Sequence, residues 1–375
     1  MAYLNQIKNV FWIQISHSFA SGILGVALPL MMKERNVNTI TIGFVFASMP
    51  LIMQFGRMFF ATFSDFLGRK PFFVSSGVLG FVSSLIYYVA HTPLEFLFGK
   101  VVEGTQEGAL WAVNRAFLLE KSGGHWRILV NLRAVVYIAS AVGSLLSGFL
   151  VVWFFYEGTM LFCALLAIVM VLLSLLLVKE RRGRFSISKA LRFLDFRKKE
   201  RIFKIFLLLF LVMGLTYGFI GGWVVPYFLS GNGFNTETVG LIIGVQTLLS
   251  GLFSFLFSRS TDIRRLTLLS GVLFSATLFS IGFSFSLSAG VLLIFFGAIQ
   301  GMNIIGQEGI LTKVCAKESY GIDIGLLMMG FHIGESLSLA LSGILVLLFG
   351  YAAVFIIAAA TYAVFFAGSY LILKE

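Results

Sequence analysis

Long apolar runs dominate this chain, and short polar breaks separate them. About 20 residues at a rise of ~1.5 Å each are enough for a helix to cross the hydrocarbon core of a bilayer. The pattern therefore predicts an all-α polytopic membrane protein with twelve transmembrane helices, the first of them too long for the core of a signal peptide. The predicted spans are 8–32, 38–62, 71–90, 94–119, 128–154, 158–178, 202–229, 236–258, 266–286, 289–314, 322–348 and 351–373.

The second half of the chain repeats features of the first. Asp65 recurs as Asp262, 197 residues later, and the Gln-Glu-Gly of 106–108 recurs at 307–309 after 201 residues. A nearly constant offset is typical of two pseudo-symmetric six-helix bundles. We expect bundles at 1–178 and 202–375, joined by a cytoplasmic linker, 179–201, with a basic interfacial helix on anionic lipid.

Composition agrees with a membrane protein. With 375 residues, 58% hydrophobic, 12% charged and a mean hydropathy of +0.96, the chain has too little polar surface for a soluble globule. Its net charge of +11 does not indicate nucleic acid, because all Lys and Arg except Lys33, Arg35 and Lys100 lie in or beside segments on one side. This asymmetry predicts a plasma-membrane protein with both termini cytoplasmic. Cys163 falls in a predicted span and Cys315 lies at the end of another, so no disulfide framework is expected.

The fourth span carries charge where lipid would be expected. Lys100, Glu103, Glu107 and Asn114 share one helical face. An ionised carboxylate in mid-bilayer costs roughly 2.5–3.5 kcal/mol on insertion scales, so such groups are usually kept for a function. This face must meet protein or a water-filled cavity. A second polar stripe on span 1 includes His17.

Other polar residues are predicted near the same depth. Glu103 and Glu107, four apart, can approach closely enough that one holds a proton or faces a cation. His332 and Glu335 form a second titratable pair. Because acids outnumber bases, the cavity should favour cationic or proton-exchanging cargo. The candidate proton-coupling and substrate residues are His17, Lys100, Glu103, Glu107, Gln300, Asn303, Glu308, His332 and Glu335.

Each candidate also has a structural interpretation. Glu103 could serve only as the salt-bridge partner of Lys100, and His17 only as a hydrogen-bonded packing residue. Arg57 and Arg133 should extend to the membrane surface by snorkelling. If they faced the cavity instead, they would form an anion site.

The turn between spans 2 and 3 carries a motif. Asp65, Gly68, Arg69 and Lys70 match the pattern Gly-x-x-x-Asp-x-x-Gly-Arg-Lys/Arg, with Ala61 at its first position. The chain thereby resembles the major facilitator superfamily. The resemblance implies that Asp65, Arg69 and Lys70 form a gating latch between cytoplasmic helix ends. It also implies a second, degenerate latch with Asp262 and Arg264, and a central cavity lined by spans 1, 4, 7 and 10.

Two further segments are similar to motifs of that family. Lys100 to Gly104 stands where the family has Arg-x-x-Gln-Gly, with Lys in place of Arg. The segment Gly143 to Gly148 resembles a glycine-rich antiporter motif but has Ser144 in place of its proline. Glycines and Pro226 in span 7 predict a bent or broken helix.

The resulting expectation is a secondary active transporter that works by alternating access and moves a small amphipathic or cationic solute in exchange for protons. A sugar or organic-anion transporter of the same fold, or a non-transporting sensor or lipid-handling protein, are the alternatives. An enzyme is not expected, because the chain has no phosphate-binding loop, HExxH or Gly-x-Ser-x-Gly. We expect no cofactor or metal, a monomer, and solute, protons and membrane lipids as partners.

Overall fold

The computed structural model describes residues 2–121, 127–177, 199–258, 262–315 and 320–372, and these are almost entirely helical. The predicted linker helix lies outside the described residues. The helices are α1 Ala2–Glu34, α2 Thr39–Leu67, α3 Lys70–Val89, α4 Pro93–Lys121, α5 Arg127–Leu175, α6 Arg201–Ile220, α7 Val224–Gly231, α8 Thr236–Phe257, α9 Ile263–Gly282, α10 Leu287–Val314 and α11 Tyr320–Ile372.

Two of these helices contain two predicted spans each. α5 is interrupted by a non-helical residue at Phe155 (φ 58°) and α11 by one at Gly350 (φ 76°), at the places where the sequence predicted one span to end and the next to begin. At each place one residue with positive φ separates two helical segments. The predicted seventh span is broken as expected, because α6 ends at Ile220 and α7 begins at Val224. With both interruptions counted and α6 joined to α7, the described residues form twelve helical segments, and the predicted polytopic α-helical fold is confirmed.

Nine described segments are long and apolar enough to cross a membrane on length and composition alone. The two longest, Asn131–Leu175 and Asp323–Ile372, have 45 and 50 residues and are long enough for two crossings each. α4 is not among the nine. It is the helix on which Lys100, Glu103 and Glu107 lie within two turns.

The helices pack in two similar sets. In the first set α1 packs on α5, α2 on α4, and α3 on both α4 and α5; in the second, α6 packs on α11, α8 on α10, and α9 on both α10 and α11. The N-caps repeat as well: the Asn38 side chain accepts from the Thr41 amide, and Asn235, 197 residues later, accepts from Thr238. The two halves meet where α2 packs on α11 and where α5 packs on α8.

We call the end of the molecule where α1 begins the basic end, and the end where α1 finishes the far end. Near the far end the two halves touch backbone to backbone. A β-carbon at Gly43 of α2 would lie 2.8 Å from the Leu339 carbonyl oxygen of α11, and one at Gly240 of α8 would lie 2.8 Å from that of Ser144 in α5. Glycine permits this approach because it has no side chain. The halves are therefore closed against each other at the far end.

Candidate functional site

A cavity of about 470 Å³ lies between the two halves. Lys100, Glu103 and Glu107 of α4 line it from the first half, and His332 and Glu335 of α11 line it from the second. The cavity extends toward the break between α6 and α7. Its apolar lining includes Phe46, Met49, Met53, Ile220, Val225, Pro226, Phe331 and Leu339.

Glu103 has two charged or polar partners of its own. Its Oε2 lies 2.9 Å from Lys100 Nζ and accepts a 2.5 Å hydrogen bond from the Tyr87 hydroxyl of α3. Lys100 Nζ also lies 4.4 Å from the centre of the Phe46 ring. The structure thus contains the Lys100–Glu103 pair of the structural interpretation, and it places that pair on the cavity wall.

Glu107 is held by a different set of side chains. Its Oε1 lies 3.0 Å from His17 Nε2, and its Oε2 accepts a 2.8 Å hydrogen bond from Trp111 Nε1. On the other side of the imidazole, Gln106 Nε2 lies 3.2 Å from His17 Nδ1. If Gln106 donates there, the neutral ring carries its proton on Nε2 and donates it to Glu107. The close Glu103–Glu107 contact that the spacing allowed is not what holds these acids, because each has separate partners.

The polar stripes that the sequence predicted on α1 and α4 face each other in the structure. Asn114 Nδ2 donates to Gln14 Oε1 at 2.8 Å, and Gln14 Nε2 donates to Ser18 Oγ at 3.1 Å. A second cavity of about 20 Å³ lies behind α4, lined by His17, Glu103, Gln106 and Glu107 among others. That volume is large enough for one water molecule. The His17–Glu107 pair therefore lies between the central cavity and a water-sized polar pocket.

The second half contributes the other predicted pair. His332 Nδ1 lies 2.9 Å from Glu335 Oε2. The Glu335 side chain is 25% exposed, against 8% for Glu103 and for Glu107. Of these three carboxylates on the cavity wall, Glu335 is the one most accessible to a solute.

The predicted residues on α10 do not face the central cavity. None of Gln300, Asn303 and Glu308 is among the described residues that line the central cavity. Gln300 Oε1 accepts from Ser250 Oγ of α8 at 3.1 Å, and Asn303 is buried. Depth along a helix can be read from sequence, whereas the face that meets the cavity depends on how α10 packs on α8 and α9.

Glu308 instead joins the two halves. Its Oε1 lies 2.9 Å from Arg133 Nη2 of α5 and 3.5 Å from Arg115 Nη2 of α4. Snorkelling was therefore the wrong interpretation of Arg133, which is held by an ion pair with the opposite half. The sequence analysis missed Arg115 and Tyr87. Each of them contacts a glutamate on another helix, and no local sequence pattern indicates such a contact.

The signature turn has a defined backbone. Gly68 ends α2 with a φ of 80°, a conformation that favours glycine. Arg69 is buried and Lys70 Nζ donates to the Leu175 carbonyl at 2.6 Å, while the side chain of Asp65 lies outside the described part of the structure. In the second half Asp262 pairs with the neighbouring Arg265 at 3.1 Å, and Arg264 stacks on Tyr370 at 4.3 Å. The contacts described for Asp262 are thus local ones.

We expect Tyr87→Phe to lower the stability of the folded protein by about 2 kcal/mol, because it removes a hydrogen bond to a buried carboxylate. The measurement is thermal unfolding of the purified protein in detergent. Tyr88→Phe is the matched control, since Tyr88 is the next residue and is 38% exposed. Equal melting temperatures for the two variants would show that the Tyr87–Glu103 contact contributes nothing.

Comparisons with known proteins agree with this architecture. The profile of the Major Facilitator Superfamily matches residues 10–236 and 206–375. The Multidrug resistance protein MdtL of Shigella flexneri is 24% identical over 159 residues, which are 42% of this chain and 41% of MdtL. The MdtL of Escherichia coli K12 matches to the same extent. This chain thus matches about two fifths of the length of these relatives.

Solved structures show the same fold over the whole chain. A variant of the nucleoside transporter NupG superposes with a TM-score of 0.80 at 16% identity, covering 100% of both chains. The human organic anion transporter MFSD10 gives 0.69 at 15% identity, covering 98% of this chain and 99% of that one. At such identities the likeness concerns the fold alone. With the family profile matching nearly the whole length, the chain belongs to the Major Facilitator Superfamily.

Proposed function

We propose that this protein is a proton-coupled secondary transporter that moves a small cationic or amphipathic organic solute across the membrane by alternating access. One observation carries the proposal: among the described residues, the cavity between the halves is lined by three carboxylates, Glu103, Glu107 and Glu335, and by one lysine, Lys100. A cavity with this excess of acid attracts positive charge.

The size and apolar lining of the cavity fit a small organic molecule. Ligand pockets commonly have volumes of about 300–1,000 Å³, with mostly apolar walls and a few polar groups. Phe331 and Phe46 both lie on the cavity wall with Glu335. Aromatic faces stabilise a nearby organic cation. The solute would thus meet both a carboxylate and aromatic surface.

The two His–Glu pairs supply the proton chemistry. A cation beside Glu107 or Glu335 favours the ionised carboxylate, so cation binding releases a proton and protonation releases the cation. One pair belongs to each half of the protein. Separation of the halves can therefore change the surroundings of both pairs.

Alternating access would use the contacts already described. The far end is closed by glycine-mediated backbone contacts, and the break between α6 and α7 borders the cavity on that side. We assign the basic end to the cytoplasm, because cytoplasmic loops carry the excess of Lys and Arg. Both termini are then cytoplasmic, and the protein acts as a monomer.

The similar proteins define the solute classes to compare. MdtL is named for multidrug resistance, whereas NupG is a nucleoside transporter and MFSD10 an organic anion transporter. The experiment is reconstitution into proteoliposomes with an internal pH dye, challenged separately with amphipathic organic cations, nucleosides and organic anions. We expect pH changes with the cations.

A pH response confined to nucleosides or anions would overturn the assigned solute class. Solute movement without any pH response would overturn proton coupling. The absence of flux for every class, together with binding of lipid or a protein partner, would favour a non-transporting role on the same scaffold.

A further inference from the structure

The uncharged polar residues of the central cavity lie on helices that carry none of its charged residues. Among the described residues, every titratable side chain on the cavity wall belongs to α4 or α11. The helices α1, α5 and α8 contribute hydroxyl and amide side chains instead, those of Ser21, Ser140, Ser144, Gln246 and Thr247. The cavity therefore has a charged part and a neutral hydrogen-bonding part.

The two parts of the cavity lie at different contacts between the halves. Lys100 Nζ lies 3.9 Å from Met49 Sδ of α2, and α2 packs on α11, the helix of Glu335. Ser140 and Gln246 belong to α5 and α8, which form the other contact between the halves. A solute that spans the cavity can therefore meet charged groups at the first contact and neutral groups at the second.

The packing of α5 on α8 fixes which residues of the two helices share a depth. A β-carbon at Gly244 of α8 would lie 2.8 Å from the Leu145 backbone nitrogen of α5, and one at Gly251 would lie 3.0 Å from the Tyr137 β-carbon. Residue numbers rise along α8 while they fall along α5. The two helices therefore run side by side in opposite directions between these points.

Gln246 and Ser140 lie within this stretch, within about one helical turn of each other along it. Neither side chain has a hydrogen-bond partner among the described residues, and the same holds for Ser21 of α1. The Thr247 hydroxyl, by contrast, donates to the Ile243 carbonyl at 2.8 Å. One amide and two hydroxyls thus line the cavity with their hydrogen-bonding capacity unused.

We propose that Gln246 and Ser140 bind a neutral hydrogen-bonding group of the solute, an amide, carbonyl or hydroxyl, while its cationic group meets Glu103, Glu107 or Glu335. This inference rests on the proposed function, and it narrows the solute class to molecules that carry both kinds of group. The Gln246 amide and the Ser140 hydroxyl can each donate and accept. A solute amide can therefore have both its N–H and its C=O paired at this site.

Gln246 should therefore determine specificity. A hydrocarbon group at this place would displace water from the Gln246 amide without replacing its hydrogen bonds, which lowers affinity. With leucine at position 246 the wall is apolar, and the hydrocarbon group loses this disadvantage. One or two hydrogen bonds of ordinary strength correspond to a change of about tenfold in relative affinity.

The test compares two organic cations of the same shape. In 4-acetamidobenzyl-trimethylammonium an amide stands where 4-isobutylbenzyl-trimethylammonium has a hydrocarbon group. Titration calorimetry measures the affinity of each for the purified full chain in detergent. The ratio of the amide affinity to the hydrocarbon affinity should fall about tenfold from wild type to Gln246→Leu, and about threefold in Ser140→Ala, which removes one hydroxyl.

Gln300→Leu is the matched control, because it makes the same change in an amide that is held by Ser250 and is not among the residues lining the cavity. It should keep the wild-type ratio of affinities. Thermal unfolding tests for a structural role of Gln246. Gln246→Leu should keep the wild-type melting temperature, since its amide has no described partner to lose, and a fall of several degrees would assign that amide to the fold instead.

The outcomes separate this inference from the function on which it rests. The same affinity ratio in wild type and Gln246→Leu, or an equal fall in Gln300→Leu, would overturn the hydrogen-bonding site while the cationic solute class stands. Binding of neither cation by wild type would overturn that solute class, and this inference with it.

Discussion

Replacing Glu107 with glutamine is expected to reduce solute-driven proton movement at least ~100-fold, because the amide cannot take up or release the proton. Glutamine keeps the size of the side chain and can still accept from Trp111. The ion pair with His17 is lost, while Glu103 and Glu335 remain on the cavity wall. Exchange of labelled for unlabelled solute should therefore continue. The measurement is proton flux and solute exchange in the same proteoliposomes.

Glu95→Gln is the matched control on the same helix. Glu95 lies in the first turn of α4, where its Oε2 accepts from the His91 and Thr92 amides at 2.6 and 2.8 Å. Glutamine can cap a helix in the same way. This variant should transport normally. Full proton flux in Glu107→Gln, or equal losses in the two variants, would contradict the role given to Glu107.

Gly343→Ala should shift the protein away from the state that is closed at the far end. A β-carbon at Gly343 would overlap the backbone of Thr39 and lie 2.8 Å from the Cα of Ile40, across the interface between the halves. Overpacking of this kind costs about 1–3 kcal/mol, which corresponds to a shift of roughly 5- to 150-fold in the equilibrium between the two states. Transport should fall by a similar factor.

The shift can be measured by labelling a cysteine on the cavity wall. Val225→Cys places a thiol at the far side of the cavity, and the native Cys163 and Cys315 are buried. A membrane-impermeant maleimide added from the far end should label it faster in the Gly343→Ala background. Gly325→Ala on the same helix is the control, because a β-carbon there has no atom within 4 Å. Equal labelling rates in the two backgrounds would contradict closure by backbone contact.

The fold could be predicted from the sequence because the apolar runs are long enough for a helix to cross a bilayer. The duplicated Asp65 and Asp262 also indicated two halves, and the Asn38 and Asn235 caps repeat at the same offset. The interruptions at Phe155 and Gly350 fall where the predicted spans are divided, and the structure adds that a single residue with positive φ makes each one.

Only part of the candidate site could be predicted from the sequence. The face of α4 with Glu103 and Glu107 follows from helical periodicity, and so does the His332–Glu335 pair, three residues apart on α11. Two other contacts join different helices: the hydrogen bond from Tyr87 to Glu103 and the ion pair between Arg133 and Glu308. Their contacts depend on how helices pack, which one sequence without relatives does not specify.

The central claim is that the carboxylates between the halves exchange a proton for a cationic solute. Its most direct test is accumulation of an organic cation in proteoliposomes under a pH gradient alone, with the membrane potential clamped at zero. We expect wild type to concentrate the cation on the acidic side and the Glu107→Gln/Glu335→Gln double variant to reach only equal concentrations. Accumulation by the double variant at the wild-type level, or none by wild type, would contradict the account.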